Sequence, residues 1–106
     1  MNGYSLRFYM HENQKHHGVL LYEWLLEAAR ERGVHGGSAF KAIAGFGRHG
    51  QINAAHFFEL AGEQAVLVEF LVDAAGADAL LGLVKQEKAP LFWARLAADF
   101  GVVEAS

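Results

Sequence analysis

The sequence predicts an α+β fold of the ferredoxin-like type, built in the order β-α-β-β-α-β. Three observations lead to this prediction. Segments near both ends and in the middle of the chain alternate apolar and polar residues, which is typical of strands with one buried face. Two other segments carry apolar residues at helical spacing. Elements in this order form a four-stranded antiparallel sheet that has both helices on one face.

The first third of the chain is predicted to form a strand, a loop and a helix. Residues 4–11, YSLRFYMH, alternate with aromatic and other apolar side chains on one face. The polar run HENQKHHG is typical of a loop. From about 18 to 32, leucine, tryptophan and alanine recur at helical spacing. Gly33 follows a last turn that is rich in arginine, which indicates the C-terminal end of this helix.

The middle of the chain is predicted to contribute two more strands. Residues 37–46, GSAFKAIAGF, form the second strand, although alanine and glycine weaken its pattern. Residues 51–60, QINAAHFFEL, fit either a continuation of a strand or a short helical turn. Residues 64–72 give a clear third strand, with Val66, Val68, Phe70 and Val72 on one face and Ala65, Leu67, Glu69 and Leu71 on the other.

The last third is predicted to form a helix and a strand. Asp73 is a suitable N-cap, and apolar residues recur at helical spacing as far as Val84. Pro90 then ends the helix. Residues 91–97, LFWARLA, form the fourth strand, and DFGVV is a candidate short addition to it.

Composition limits the classes of protein that fit. The chain has 106 residues, which suit one domain over residues 1–106, and 53% of them are hydrophobic, enough for a core. Its net charge of −3 gives no basis for nucleic-acid binding. It has no cysteine, which excludes disulfides and agrees with a cytoplasmic location. The run AVLVEFLV is too short to span a bilayer, so we expect a soluble protein without membrane insertion.

One sheet face is predicted to remain uncovered, because this topology places both helices on the other face. The residues expected there are apolar side chains interleaved with charges: Tyr9, Ile43, Leu67 and Leu71 with Arg7, Lys41 and Glu69. This much apolar surface beside pairable charges favours an oligomer. The alternative is a monomer that tolerates a partly apolar sheet face.

A glycine-rich stretch, Gly45-Phe46-Gly47-Arg48-His49-Gly50, matches G-x-G-x-x-G. We do not interpret this motif as a dinucleotide-binding site, because no long helix follows it and the chain is too short for two mononucleotide-binding halves. Two interpretations stay open. The glycines supply positive φ in a hairpin between two strands, or their backbone forms an anion-binding nest beside the cationic side chains.

The histidines and serines do not indicate an enzyme. The chain has six histidines, and His11, His16 and His17 lie close together in sequence. Because His16 and His17 are neighbours, their side chains should point apart in a regular segment, so no metal site is predicted. The three serines, Ser5, Ser38 and Ser106, belong to no recognisable triad.

The run LYEWLLEAARERGVHGGSAFKAIAGFGRHGQI resembles the PII-like family catalogued as domain of unknown function 190. The matching positions are mostly glycines at fixed spacing: Gly33, Gly36, Gly37, Ser38, Gly45, Phe46, Gly47, Gly50 and Ile52. The later strand VLVEFLVD, followed by a helix, also fits.

The resemblance implies a ferredoxin-like homotrimer, similar to PII signal proteins and to CutA. It also implies a small effector, such as an adenine nucleotide or another anion, bound between subunits beneath the loop from Gly45 to Ile52. The protein would act as a regulator that signals to a target protein, whose identity the sequence does not give. The sequence does not identify a cofactor.

The predicted ligand site has eight members: Gly36, Gly37, Lys41, Gly45, Phe46, Gly47, Arg48 and His49. Lys41 and Arg48 are assigned to the anion, and Phe46 to an apolar or stacking contact. Two alternatives stay open. One is a divalent-metal-binding trimer of CutA-like character that uses the histidines, and the other is an interaction module without a small ligand.

Overall fold

A computed structural model of the protein describes residues 2–45 and 64–105. The described elements, in chain order, are β1 Asn2–His11, β2 Lys15–His16, β3 Val19–Leu20, α1 Leu21–Glu31, β4 Gly37–Lys41, β5 Ala65–Val72, α2 Ala74–Gln86 and β6 Phe92–Asp99. The alternatives that the sequence left open for residues 51–60 lie outside the described residues.

The main sheet has four antiparallel strands in the order β4-β5-β1-β6. This order and the two helices confirm the predicted α+β, ferredoxin-like arrangement. The central strand β1 pairs with β5 on one side, where Tyr4 lies opposite Val72, and with β6 on the other, where Tyr4 lies opposite Ala97. Strand β4 is one edge of the described sheet and β6 is the other.

The core lies between the sheet and the two helices. Side chains from alternate positions of β1 and β5 enter it, because a strand presents every second residue to the same face. The buried apolar residues of the two strands are Leu6, Phe8, Met10, Val66, Val68, Phe70 and Val72. The helices contribute Leu21, Leu25, Ala28, Ala29, Ala77, Leu80, Leu81 and Val84. The predicted faces of β1 and β5 are therefore confirmed.

A small hairpin, β2–β3, occupies part of the segment that the sequence assigned to a loop and to the start of α1. His16 pairs with Val19, and His17 and Gly18 form the turn between them with φ of 51° and 81°. Two successive residues with positive φ are typical of the type I′ turn that joins short antiparallel strands. The helix consequently begins at Leu21 instead of near residue 18.

The two described helices end in the same hydrogen-bonded motif. In α1 the amides of Gly33 and Val34 donate to the carbonyls of Arg30 and Ala29, and Gly33 has φ of 83°. In α2 the amides of Lys88 and Ala89 donate to Lys85 and Val84 in the same pattern. The left-handed residue of α2 is a lysine, Lys88, with φ of 54°. Each end is thus a Schellman motif, although only α1 uses the favoured glycine.

Two predicted strands have different limits in the structure. Strand β4 ends at Lys41, so residues 42–45 of the predicted 37–46 strand are not part of it. Strand β6 runs to Asp99, but the proposed addition at DFGVV does not form beyond that residue, and the side chains of Val102 and Val103 are exposed. Neither described helix has the length and apolar run that crossing a bilayer requires.

Candidate functional site

A groove of about 380 Å³ opens where α1 ends and β4 begins. One wall is formed by α1 residues from Glu23 to Arg30, and the other is the start of β4 with Phe70. The residues that line it are Glu23, Leu26, Glu27, Ala29, Arg30, Val34, His35, Gly36, Gly37 and Phe70. Its volume lies within the range of about 300–1,000 Å³ that is usual for sites that bind small molecules.

Two glycines shape this groove in different ways. A Cβ atom on Gly37 would lie 2.4 Å from Cε1 of Phe70, so β4 packs this closely on the ring only because residue 37 has no side chain. A Cβ atom on Gly36 would meet no other atom within 4 Å. Gly36 therefore leaves open space on the groove wall, whereas Gly37 fixes the distance between β4 and the core.

The groove has mixed charge. Arg30 donates from Nε to Oε2 of Glu27 at 3.1 Å, and its Nη2 donates to Oε1 of the same carboxylate. This hydrogen bond lowers the pKa of the Glu27 carboxyl and raises the pKa of Arg30. Glu23 and His35 complete the ionisable lining. The described part of the groove therefore offers both signs of charge, with the guanidinium already paired.

The structure brings together only part of the predicted ligand site. Gly36 and Gly37 line the groove. Lys41 lies at the far end of β4, about 13 Å away at the usual rise of a strand. Its Nζ is 3.1 Å from Oε2 of Glu12. Gly45 follows β4, and a Cβ atom there would meet nothing within 4 Å. The other four predicted ligand residues, Phe46, Gly47, Arg48 and His49, lie outside the described residues.

The sheet face that the helices leave uncovered, hereafter the bare face, is largely apolar. It carries the outward side chains of the four strands: Ser38, Phe40, Leu67, Glu69, Leu71, Ser5, Arg7, Tyr9, Phe92, Ala94, Leu96 and Ala98. The largest of its exposed apolar side chains are Phe40, Leu71, Phe92 and Leu96, each between 42% and 52% exposed. A surface of this kind is unusual on a monomer.

One polar cluster interrupts the bare face at its centre. Arg7 and Glu69 lie opposite each other on β1 and β5, and Arg7 Nε donates to Glu69 Oε2 at 3.1 Å. Ser5 Oγ donates to the same carboxylate oxygen at 2.8 Å. The opposite charges of Arg7 and Glu69 thus meet within one chain, so a neighbour that covered this face would not have to supply a counter-charge.

The sequence-based prediction of which β4 residues lie on the bare face is wrong. Lys41 lies opposite Val66, whose side chain is in the core, so Lys41 is on the helix side of the sheet. Phe40 lies opposite Leu67 and occupies the bare face instead. Ile43 lies beyond the end of the strand and is 97% exposed. The cause is a shift of one residue in the register of β4, which exchanges the two faces of a strand.

A second polar cluster consists of His16, His17 and Glu87, hereafter the histidine–glutamate cluster. It lies where the β2–β3 hairpin meets the C-terminal end of α2. Glu87 Oε1 is 3.0 Å from His16 Nε2 and 2.8 Å from His17 Nε2. The prediction that the two imidazoles point apart is wrong. The positive φ of His17 turns the chain sharply, so both rings face the same carboxylate.

The two sides of the histidine–glutamate cluster are positioned independently. The His16 ring packs against Trp24 of α1, with 4.4 Å between ring centroids. Glu87 is the C-cap of α2 and is held by the Schellman motif at Lys88. Hydrogen bonds from His17 and then His16 lower the pKa of Glu87. The stabilisation is therefore present above the unfolded-state pKa of a glutamate and is lost as the pH falls through the lowered value.

Sequence reasoning missed Glu87, because it is about seventy positions from its partners. No local pattern connects a hairpin turn with the end of a helix that far along the chain. Among the described residues, His16, His17 and Glu87 form the one group of three histidine, aspartate or glutamate side chains whose ligand atoms all lie within 4.8 Å of one another. His11 and His35 do not belong to it.

The chain matches a known protein family and is similar to a known protein. Residues 3–89 match the sequence profile of domain of unknown function 190, described as "Uncharacterized ACR, COG1993". A similar protein is the "UPF0166 protein" of Aquifex aeolicus (strain VF5), which is 38% identical over 66 residues. The aligned segment is 62% of this chain and 63% of that relative, so it spans somewhat less than two thirds of the relative's length.

Proposed function

We propose that this chain, which belongs to the family of domain of unknown function 190, is a PII-like regulatory subunit. In this proposal the chains form a homotrimer through their bare faces. A small effector, such as an adenine nucleotide or another anion, binds beside β4 at the boundary between subunits. A target protein then senses whether the effector is bound. The chain itself catalyses no reaction.

The observation that carries this proposal is the groove between α1 and β4. It has the volume of a small-molecule site, and two of the residues expected to touch the ligand, Gly36 and Gly37, line it. It also lies beside β4, an edge strand of the described sheet, so a neighbouring subunit on that side would deepen it.

The charge of the groove sets a requirement on how an anion binds. Arg30 is engaged by Glu27, and Glu23 adds a second carboxylate to the lining. A phosphate or carboxylate ligand therefore needs further cations. Arg48 and His49 are the predicted source, and Lys41 is a third candidate if an anion displaces its contact with Glu12. The groove would then hold the apolar or ring part of the ligand against Phe70 and Leu26.

The bare face supports self-association. It combines exposed phenylalanine and leucine side chains with a central ion pair whose two charges belong to the same chain. Apolar surface of this type, with few unpaired charges at its centre, is characteristic of obligate interfaces between identical chains.

The test is a thermal-shift screen on tag-free protein in the presence of EDTA, so that metal ions do not contribute. The panel contains ATP, ADP, AMP, cyclic AMP, NAD, S-adenosylmethionine and bicarbonate. A ligand that binds only the folded state raises the melting temperature by mass action. We expect at least one nucleotide or related anion to do so, with a dose dependence that fits one site per chain.

Two variants locate the site. Gly36→Leu places a side chain in the open space of the groove wall and should remove the shift without disturbing the backbone. Gly82→Leu is the matched control, because Gly82 is also open but lies on α2, and it should keep the shift. Arg48→Ala tests the predicted anion partner. A shift lost only in Arg48→Ala would move the site to the residues that follow Gly45.

The proposal fails if no member of the panel stabilises the wild-type protein. It also fails if the shift survives unchanged in both Gly36→Leu and Arg48→Ala. In the first case an interaction module without a small ligand becomes the better interpretation, and the bare face becomes the surface on which to look for a protein partner.

A further inference from the structure

We propose that His16, His17 and Glu87 form a binding site for a divalent transition-metal cation, with zinc as the reference ion. This inference does not rest on the effector-binding proposal. None of the three residues lines the groove or belongs to the bare face.

The spacing of the ligand atoms fits such an ion. Zinc bonds to imidazole nitrogen and carboxylate oxygen are about 2.0–2.2 Å long, so the ligands of a tetrahedral site are separated by about 3.3–3.5 Å. The Nε2 atoms of His16 and His17 lie 3.0 and 2.8 Å from Oε1 of Glu87, and all three ligand atoms fall within 4.8 Å. Separating the carboxylate from the rings by a few tenths of an ångström would admit the ion.

The protons that hold the cluster together occupy the positions that the metal would take. In the metal-free form each imidazole that donates to Glu87 carries its proton on Nε2. When the cation binds, Nε2 supplies a lone pair, and each neutral ring keeps its proton on Nδ1 instead. The carboxylate then binds the cation directly. Because ligands must be deprotonated to bind a metal, affinity at sites of this donor type falls in acid.

The donor set selects the type of cation. Two imidazole nitrogens and one carboxylate oxygen suit zinc and its neighbours in the first transition row, whereas calcium and magnesium prefer sites made of oxygen alone. Three protein ligands leave one tetrahedral position for water. The His17 side chain is 67% exposed, so the cation and that water have access from solvent.

The site is held in place from both sides. The His16 side chain is only 12% exposed and is fixed against Trp24, while the left-handed turn fixes His17. A separate contact anchors the hairpin segment to the chain beyond α2, because Gln14 donates through Nε2 to the carbonyl of Pro90. Ligands held in this way lose little conformational freedom when they bind an ion, which favours affinity.

The effect on the protein follows from where the ligands lie. A metal bound by all three would link the β2–β3 hairpin to the end of α2, two parts of the chain that are about seventy residues apart in sequence. It would replace two hydrogen bonds with bonds to one ion. The hairpin would thereby become a fixed part of the helical layer whenever the metal is available.

The experiment measures zinc binding to the full chain after removal of any affinity tag and of trace metal with a chelator. Isothermal titration at pH 7.5 should give one zinc per chain, and the affinity should fall at pH 5.5. Cobalt, used in place of zinc, should give the intense visible absorption of a four-coordinate ion. Magnesium and calcium at the same concentration should give no signal.

The variants are chosen to keep the fold. His17→Ala removes the exposed ligand, and Glu87→Gln keeps the shape and a hydrogen-bonding oxygen while removing the charge. Each should lower the zinc affinity by more than about tenfold, since loss of even a residue that only supports a ligand costs about 10–100-fold. His35→Ala is the matched control, because His35 lies outside the cluster, and it should bind zinc like the wild type.

Tryptophan fluorescence reports on the position of the ion. The chain has two tryptophans, and Trp24 is the one in contact with His16. In a Trp93→Phe background, one equivalent of copper should quench Trp24, and His17→Ala should abolish that quenching. Equal zinc affinity in the wild type, His17→Ala and Glu87→Gln would overturn the proposal, as would a wild-type protein that binds no zinc.

Discussion

The two faces of the sheet differ although the same strands build both. On the covered face the side chains of β1 and β5 are apolar, such as Phe8 and Phe70, and the helices bury them. On the bare face apolar side chains such as Leu71 surround the ion pair of Arg7 and Glu69. One face is therefore completed within the chain, and the other has the composition of an interface. The described core is thus built from residues of one chain, while the bare face keeps apolar side chains exposed.

Substitutions at the adjacent residues Phe70 and Leu71 test this difference most directly. The substitution of Phe70 should have the larger effect on the protein. Phe70 is 1% exposed and contacts Phe8 edge to face. Phe70→Ala should lower the free energy of unfolding by about 3–5 kcal/mol, the usual cost of removing a buried aromatic side chain. Urea denaturation measures this change. A loss below about 1 kcal/mol would mean that the ring is not part of the core.

The second largest effect is expected from a substitution on the bare face. Leu71→Asp should dissociate the proposed trimer, because assembly would bury the new carboxylate without a partner. The stability of the separated chain should change by less than about 1 kcal/mol, since Leu71 is partly exposed there. Light scattering during gel filtration measures the mass. Val103→Asp adds the same charge at a fully exposed position and should leave the mass unchanged.

A wild-type protein that elutes as a single chain would contradict the assignment of the bare face as an interface. So would a Leu71→Asp protein with the mass of the wild type, because the covering surface would then have to lie elsewhere.

The smallest effect is expected in the helical layer, at the end of α2. Lys88→Gly should raise the free energy of unfolding by about 0.5–1 kcal/mol, because glycine adopts positive φ without the steric cost that lysine bears. Association should not change, since Lys88 is not on the bare face. Thermal and urea unfolding measure the gain.

Gly33→Ala is the reciprocal change at the end of α1 and should destabilise the protein, because it introduces a Cβ atom at a φ of 83°. If Lys88→Gly were destabilising, the lysine side chain would have to make a contact worth more than the strain of its backbone.

The parts of the fold that sequence predicted are those controlled by local pattern. Alternation identified β1 and β5 together with their buried faces, and helical spacing with Gly33 identified α1. The β2–β3 hairpin escaped prediction because its turn depends on a histidine, His17, in a left-handed conformation. Glycine and asparagine are the usual signals for such a turn.

The face of β4 and the histidine–glutamate cluster were not predictable for a different reason. In GSAFKAIAG apolar residues occur at both odd and even positions, so alternation alone does not say whether Phe40 or Lys41 faces the helices. Only the pairing of β4 with β5 decides this. Glu87 meets His16 and His17 through the packing of the whole helical layer, and that information is not local.

The position of β1 in the sheet has a consequence for the order in which the protein can fold during synthesis. Within this domain β1 leaves the ribosome first, yet both of its neighbours, β5 and β6, are made much later. Tyr4 cannot meet Val72 and Ala97 until most of the domain has emerged. Leu6, Phe8 and Met10 therefore remain uncovered through most of translation, and shielding of the nascent chain matters most at this first strand.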